Sequence, residues 1–399
     1  MRQLPRFPIL AAAAALALAA GTPWAGADTQ TRVFRHGFPQ GQGTLRFANL
    51  AGRVELMPGQ GPQVVVNVTV HADAGSAGET KRLLEGMKWV RGRDKEGREE
   101  WTLSYPVDRY KAYHYPRENR GGSDLPGFLS FLENGYTSTT YRGERIRIYG
   151  QRRSSAPTLY ADLKIALPAG SNVVMRNVVG QVDGAGALQG KLAVKTGSGS
   201  VRLASYDGQL TVDTGSGDVR VGSVRGETSI DTGSGDVVVS RLIGNGLVDT
   251  GSGNVVVEKV SAGRLSIDTG SGDVTVKEGI ASRLLAETGS GAVRVVGVDI
   301  EELEADTGSG DVRIESSLAK ARRVVADTGS GDIHILAGAN ASFDVESSQG
   351  SGDLKVGYAD AKLRKSGNKV VGARRGDGQT RIRVETGSGD CVISPRGGE

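Results

Sequence analysis

Cysteine occurs once in 399 residues, at Cys391, so no intrachain disulfide framework can hold this chain together. Aromatic residues make up only 5%, which excludes a globular core packed mainly with Phe, Trp and Tyr. The four histidines, His36, His71, His114 and His334, share no metal-ligand spacing. No serine nucleophile elbow, no HExxH zinc motif and no P-loop occurs. A strong excess of one charge is missing too. The formal net charge of +4 falls to +2 if Arg2 and Arg6 are removed with a leader (4 − 2), because residues 1–27 hold no acid. Bulk attraction to nucleic acid or to an anionic membrane is therefore not implied.

Long apolar runs are confined to the start of the chain. Arg2 and Arg6 precede an Ala/Leu-rich run from Phe7 to Ala20, and Ala25-Gly26-Ala27 supplies a small-x-small cleavage site. The expectation is a signal peptide cut after Ala27, with a product that is periplasmic or secreted. The run is short and alanine-rich for a membrane span. No cysteine stands near the cleavage site to take a lipid, and the two arginines are not adjacent, as a twin-arginine signal requires.

What the chain does have is glycine, sixty of them. Thr-Gly-Ser-Gly begins at Thr196, Thr214, Thr232, Thr250, Thr269, Thr288, Thr307, Thr328 and Thr386, and a degenerate copy, Gln349-Gly350-Ser351-Gly352, falls between the last two. Self-similarity at a period near 18–19 residues is the mark of a repeat architecture. Five and seven residues after the threonines stand pairs such as Val237/Val239, Val274/Val276 and Ile333/Ile335. Two and four residues before them stand pairs such as Val212/Leu210 and Ile267/Leu265. Alternation with β-branched residues reads as short strands, arranged strand, Gly-rich turn, strand, looser turn. One such unit cannot bury its apolar face alone, but stacked units bury it as a continuous column. The expected fold is all-β: a parallel β-solenoid (β-helix) with about 18–19 residues per turn. Some twelve turns at about 4.8 Å would make a rod roughly 55 Å long.

Three regions should precede or surround the repeats. Residues 28–105 read as a β-rich lead-in with a short helix from Ala77 to Met87, Ser76 its N-cap, then strands near Met87–Arg91 and Glu99–Tyr105. Residues 106–157 form a Tyr/Arg/Gly-rich insertion, and residues 158–399 the solenoid. The stretches "LRFANLAGRVELMPGQGPQVVVNVTV" and "LKIALPAGSNVVMRNVVGQV", followed by the Thr-Gly-Ser-Gly-Asp series, resemble the DUF4097 family over most of residues 44–103 and 158–399. These are exported bacterial β-strand-repeat proteins regarded as candidate adhesins. The resemblance implies a β-solenoid in the cell envelope and carries no catalytic residues.

The functional expectation is a non-catalytic envelope protein whose rod serves as a structural, adhesion or binding surface, with no cofactor and with a protein or glycan of the envelope as partner. Nucleic acid and an integral membrane span are not expected. Tyr110, Tyr113, Tyr115, Arg117, Arg120, Tyr136, Tyr141, Arg142 and Arg145 could form a recognition surface, since tyrosine offers a flat apolar face and a hydroxyl. The competing reading is a flap that caps the first turn and shields the open end of the core.

Two alternative functions remain. Acids recur one residue before and four residues after each threonine, so Asp213, Asp218, Asp231, Asp236, Asp268 and Asp273 are candidate ligands in a calcium-stabilised binding module. The period and motif depart from known calcium turns, however, and the turn backbone can supply the donors these carboxylates need. A polysaccharide-active β-helix enzyme is the third reading. Cys391 falls where other units carry valine, so it should be a small core residue.

Overall fold

The computed structural model describes residues 29–41, 43–116, 136–151 and 156–397. The expected leader, with its cleavage site, lies outside them. Among the described residues the regular secondary structure is β-strand except for one helix, Ala77–Gly86, where Ser76 Oγ accepts the Glu79 N–H at 3.3 Å. The two strands expected after the helix occur at Trp89–Arg93 and Glu99–Leu103, paired antiparallel.

Parallel pairing at the repeat period dominates. Thr196 lies opposite Thr214, Thr214 opposite Thr232, and Thr232 opposite Thr250; the series continues through Thr269, Thr288, Thr307 and Thr328. Between Val182 and Thr307 each rung of this stack has three pairing legs rather than two. The first ends at the motif threonine, the second carries pairs such as Val237/Val239, and a short third leg aligns Val224 with Leu242 and Val260. The inward valines and isoleucines of the first two legs, including Val237 and Ile267, are buried, whereas Arg220 and Arg313 point outward. Period-two alternation thus assigned inside and outside correctly on those legs.

Motif glycines are required by the spacing of the rungs. A methyl group on Gly235 would stand 2.1 Å from the Gly217 carbonyl oxygen, and one on Gly310 would stand 2.0 Å from that of Gly291. None of these glycines has a positive φ, unlike Gly208, Gly226 and Gly244 at the opposite corner. Close approach, not backbone freedom, selects glycine in the motif.

Lead-in and repeats share one hydrophobic core. Leu45–Ala51 and Val54–Gly59 form a rung stacked on Ser171–Val179 and Val182–Gly184, with Asn49 and Asn177 in line with Thr196. Above it, Glu99–Leu103 covers the first leg and Thr158–Pro168 the second, so the outermost rung is assembled from two distant segments. Gln63–Asp73 and then Gln30–Pro39 extend the sheet in antiparallel fashion.

At the other end the order of rungs departs from the order of the chain. Thr328 pairs with Thr386, and Thr386 pairs with Gln349. The last rung in sequence, Thr380–Thr386 with Cys391–Pro395, is wedged between its two predecessors. The Gln349 rung therefore terminates the stack. Lys369–Arg375 pairs antiparallel with its strand Phe343–Gln349, and Lys362–Ser366 continues the sheet. Cys391 occupies the inward valine column as expected and is fully buried, which pushes its thiol pKa up.

Candidate functional site

The repeated corner is a hydrogen-bonded ladder. From Thr232 on, each motif threonine hydroxyl accepts an N–H from its own turn and donates to a carbonyl of the adjoining rung, while the Thr196 and Thr214 hydroxyls bond each other at 2.9 Å. Thr269 Oγ1, for example, takes the Gly272 N–H at 3.2 Å and gives to the Gly253 carbonyl at 2.9 Å. Asn177 plays the same part with an amide, donating Nδ2 to the Gly52 carbonyl at 2.8 Å. All nine motif threonines are buried. A buried hydroxyl with both bonds made costs little, and it locks adjacent rungs in register.

The acids flanking the corner separate into two columns of different character. Four residues after threonine, the carboxylate accepts the backbone N–H at the same position in the next rung. Asp218 takes Asp236 N at 3.3 Å, Asp236 takes Asn254 N at 2.9 Å, and Asp273 takes Ala292 N at 2.9 Å. Asp273 is held below the ordinary carboxylate range by that N–H and by the Arg294 guanidinium. Asp218 is buried rather than outward, because its rung neighbours close over it.

One residue before threonine, the column is differently placed. Asp213 meets Lys195 at 2.8 Å and Glu385 meets Arg383 at 2.8 Å. Asp231, Asp249, Asp268, Glu287, Asp306 and Asp327, between them, take no side-chain hydrogen bond or ion pair among the described residues. Partial burial, then the like charge above and below, raises the pKa of Asp231, Glu287 and Asp327; burial, then Glu304, raises that of Asp306. The six candidate metal ligands divide between these columns, Asp218, Asp236 and Asp273 in the first and Asp213, Asp231 and Asp268 in the second. They do not converge, and among the described residues no three His, Cys, Asp or Glu side chains cluster as a metal site.

The tyrosines expected to form a recognition surface are divided by the fold. Tyr113 and Tyr141 are 0% and 1% exposed, which removes them from any surface. With Tyr105 they pack edge-to-face at 5.6–5.8 Å between centroids and close the first rungs of the core. Tyr141 Oη donates to the Leu103 carbonyl at 2.9 Å, and Tyr105 Oη reaches Asn49 Oδ1 at 2.9 Å. In Tyr105 and Tyr141 an apolar ring carries a bonded hydroxyl, which suits the ragged end of a stack. Tyr110 is half-buried and donates to Glu79 Oε1 at 2.8 Å, which with Arg109 holds that carboxyl below its ordinary range. Tyr115 packs against Tyr160 instead. Tyr136 is exposed beside Arg147, Arg145 bonds Ser138, and Arg142 sits at a hairpin tip with φ 50°. Arg117 and Arg120 lie outside the described residues.

Open clefts also mark the surface of the described residues. One of about 500 Å³ lies between the helix and the Tyr105–Arg109 turn, lined by Glu79, Arg82, Asp108, Arg109, Arg142 and Glu144. Another, of about 580 Å³, crosses the outward face of the first leg over successive rungs. Its rungs offer Gln209/Thr211, Glu227/Ser229, Asn245/Leu247 and Arg264/Ser266. Asn245 bonds Glu227 Oε1 and the Arg264 N–H, both at 2.9 Å, so these side chains are pre-set. The sequence reading missed this groove, although the same outward positions recur two residues apart in every copy.

A face of stacked polar rungs over a valine interior defines a repeat-type β protein. Residues 243–394 match the DUF4097 family, described as Toastrack, in agreement with the resemblance carried by the motifs. No curated protein matches the chain. Among solved structures, a proposed cell adhesion protein from Clostridium sporogenes is 6% identical with a TM-score of 0.18, covering 92% of this chain and 100% of that one. A proposed lipid binding protein from Parabacteroides distasonis is 12% identical with a TM-score of 0.35, covering 92% and 98%. At these scores neither likeness bears on function. No helix among the described residues is long and apolar enough to cross a membrane.

Proposed function

We propose that the repeats form a parallel β-solenoid rod that acts, without catalysis, as a binding surface in the cell envelope, on a chain exported by its N-terminal leader. The observation that carries this reading is the groove over Gln209–Ser266. It presents hydrogen-bonding side chains at the rung spacing of about 4.8 Å, on a support whose backbone and threonine ladders resist deformation. Such a surface suits an extended ligand, a glycan strand or an unfolded peptide of the envelope, laid along the rod. The flanking column of carboxylates would exclude strongly anionic chains from the same face.

Binding of the full chain to isolated envelope fractions and to a glycan panel tests the reading. Ser229→Trp, which fills the groove, should abolish binding, whereas Arg313→Ala on another face should leave it intact. Equal binding by both variants would reject the groove, and release of a cleaved product from any bound glycan would reject a non-catalytic role.

A further inference from the structure

The near-neutral net charge conceals a strong local asymmetry at the terminal end of the stack. Between Lys362 and Arg375 the sequence KLRKSGNKVVGARR holds six cations and no acid. It forms the hairpin Lys362–Ser366/Lys369–Arg375. The hairpin is held firmly at its base. The first strand follows the end rung, the second pairs with Phe343–Glu346, and the chain then enters the wedged rung.

The arginines are spent within the fold. Arg364 and Arg374 meet Asp344 at 2.6 and 3.6 Å, and Arg375 meets Asp360 at 2.8 Å. The lysines are not. Lys362 and Lys365 are exposed and form no ion pair among the described residues, and Lys369 Nζ touches only the Gly350 carbonyl, at 3.0 Å. Among these lysines stand Leu363 and Val371, 48% and 37% exposed. By register Leu363 lies opposite Ala373, on the face that meets the core, whereas Val371 stands exposed at the bulge in this pairing, next to Val370, which packs against the core. Leu363 thus continues the apolar interior past the last rung into solvent, and Val371 adds a second exposed aliphatic side chain to the hairpin.

Lysine on an edge strand can serve merely to block pairing with another sheet. Exposed leucine and valine work against that purpose. Together, cations with aliphatic side chains held between them match the boundary of an anionic bilayer, where the charge meets headgroups and the aliphatics reach the acyl region. A second copy docked end to end would oppose like charges, and the hairpin has no aromatic ring to stack on a sugar. We propose that this hairpin docks the end of the rod onto an anionic lipid surface.

The test is sedimentation of the full chain with vesicles of phosphatidylcholine containing 30% phosphatidylglycerol, against phosphatidylcholine alone. All proteins compared share residues 1–28, so any contribution of the leader cancels. Lys362→Glu/Lys365→Glu/Lys369→Glu should lower partitioning to the anionic vesicles at least about tenfold, and Leu363→Ser/Val371→Ser should lower it several-fold. Both variants should keep the parent melting curve. Should either misfold, Val371→Trp at an exposed position gives a second reading: its emission should shift to the blue on anionic vesicles only. The proposal is overturned by equal partitioning of parent and variants, by equal binding to neutral vesicles, or by unchanged tryptophan emission. Capture by a soluble anionic polysaccharide that ignores Leu363→Ser/Val371→Ser would reassign the surface to polyanions. Ser229→Trp in the groove should leave vesicle binding unchanged, so this inference and the groove reading fail separately.

Discussion

The Asp390 N–H donates to Asp332 Oδ1 at 2.8 Å, although 58 residues separate them. This is the same rung-to-rung bond that joins Asp236 to Asn254 across 18 residues. The wedged rung is therefore a full member of the ladder, inserted after its neighbours in the chain.

That order can be read by cross-linking. Ser388 lies on the rung adjoining Ser330, with its hydroxyl 3.5 Å from the Ser330 carbonyl, whereas Ser351 lies one rung further on. A disulfide spans Cα atoms about 4.4–6.8 Å apart, which suits one rung step and not two. Ser330→Cys/Ser388→Cys should oxidise readily, and Ser330→Cys/Ser351→Cys should stay reduced. The reverse result, seen as mobility on non-reducing gels, would restore sequential stacking.

Gly235→Ala and Gly310→Ala should each destabilise the fold by about 1–3 kcal/mol or more, since the new methyl meets a carbonyl oxygen of the neighbouring rung. Gly92→Ala has nothing within 4 Å and should be neutral or slightly stabilising. Urea melts of the three variants check this. Equal midpoints would mean that the rungs are not packed at the spacing described.

The carboxylates before and after threonine predict opposite responses to pH. Asp231, Glu287, Asp306 and Asp327 have raised pKa values when folded, so the stability they contribute is present in acid and lost as pH rises through those values. Asp273 and Asp390 have lowered values, so their contribution is present above the unfolded value and lost as pH falls. Thermal melting should hold level or rise between about pH 7 and pH 5, then fall below about pH 4. Replacing Asp231, Asp306 and Asp327 by Asn should raise the melting temperature at pH 7 and flatten the upper part of this profile. A steady decline from pH 7 downward would contradict the assignment.

Calcium should have little effect. Asp218, Asp236 and Asp273 each commit an oxygen to a backbone N–H, and the other column is a single file of carboxylates without convergent ligands. Melting temperature should change by less than about 2 °C between millimolar calcium and EDTA, with weak, non-saturating binding by calorimetry. A rise of about 10 °C or more in calcium would make the metal-stabilised reading the better one.

Much of the fold was legible because its forces are local and repeated. Alternation identified the inward valines and outward arginines, and the glycine motif marked each corner. The Tyr/Arg insertion was not legible in the same way. Tyrosine is amphipathic, and only the position of Asn49 and the Leu103 carbonyl decided that Tyr105 and Tyr141 turn inward with their hydroxyls bonded. Asn49 also hid the rung built from the lead-in, since an amide there stands in the threonine column under a different letter, whereas the rung at Asn177 falls within residues 158–399 as expected.

The sequence by itself determined that the chain would build parallel rungs of valine about a glycine corner, because each residue's side of the strand follows from its own period. Tertiary structure alone decided which rung lies beside which. Thr328, Gln349 and Thr386 all carry the same corner geometry, so local pattern cannot choose among their pairings. The choice falls to what each segment must do at the end of the stack. The regular Thr386 rung can be covered on both sides, while the Gln349 rung, with Ser347 and Gln349 where its neighbours bury Val384 and Thr386, can stand last beneath a basic hairpin.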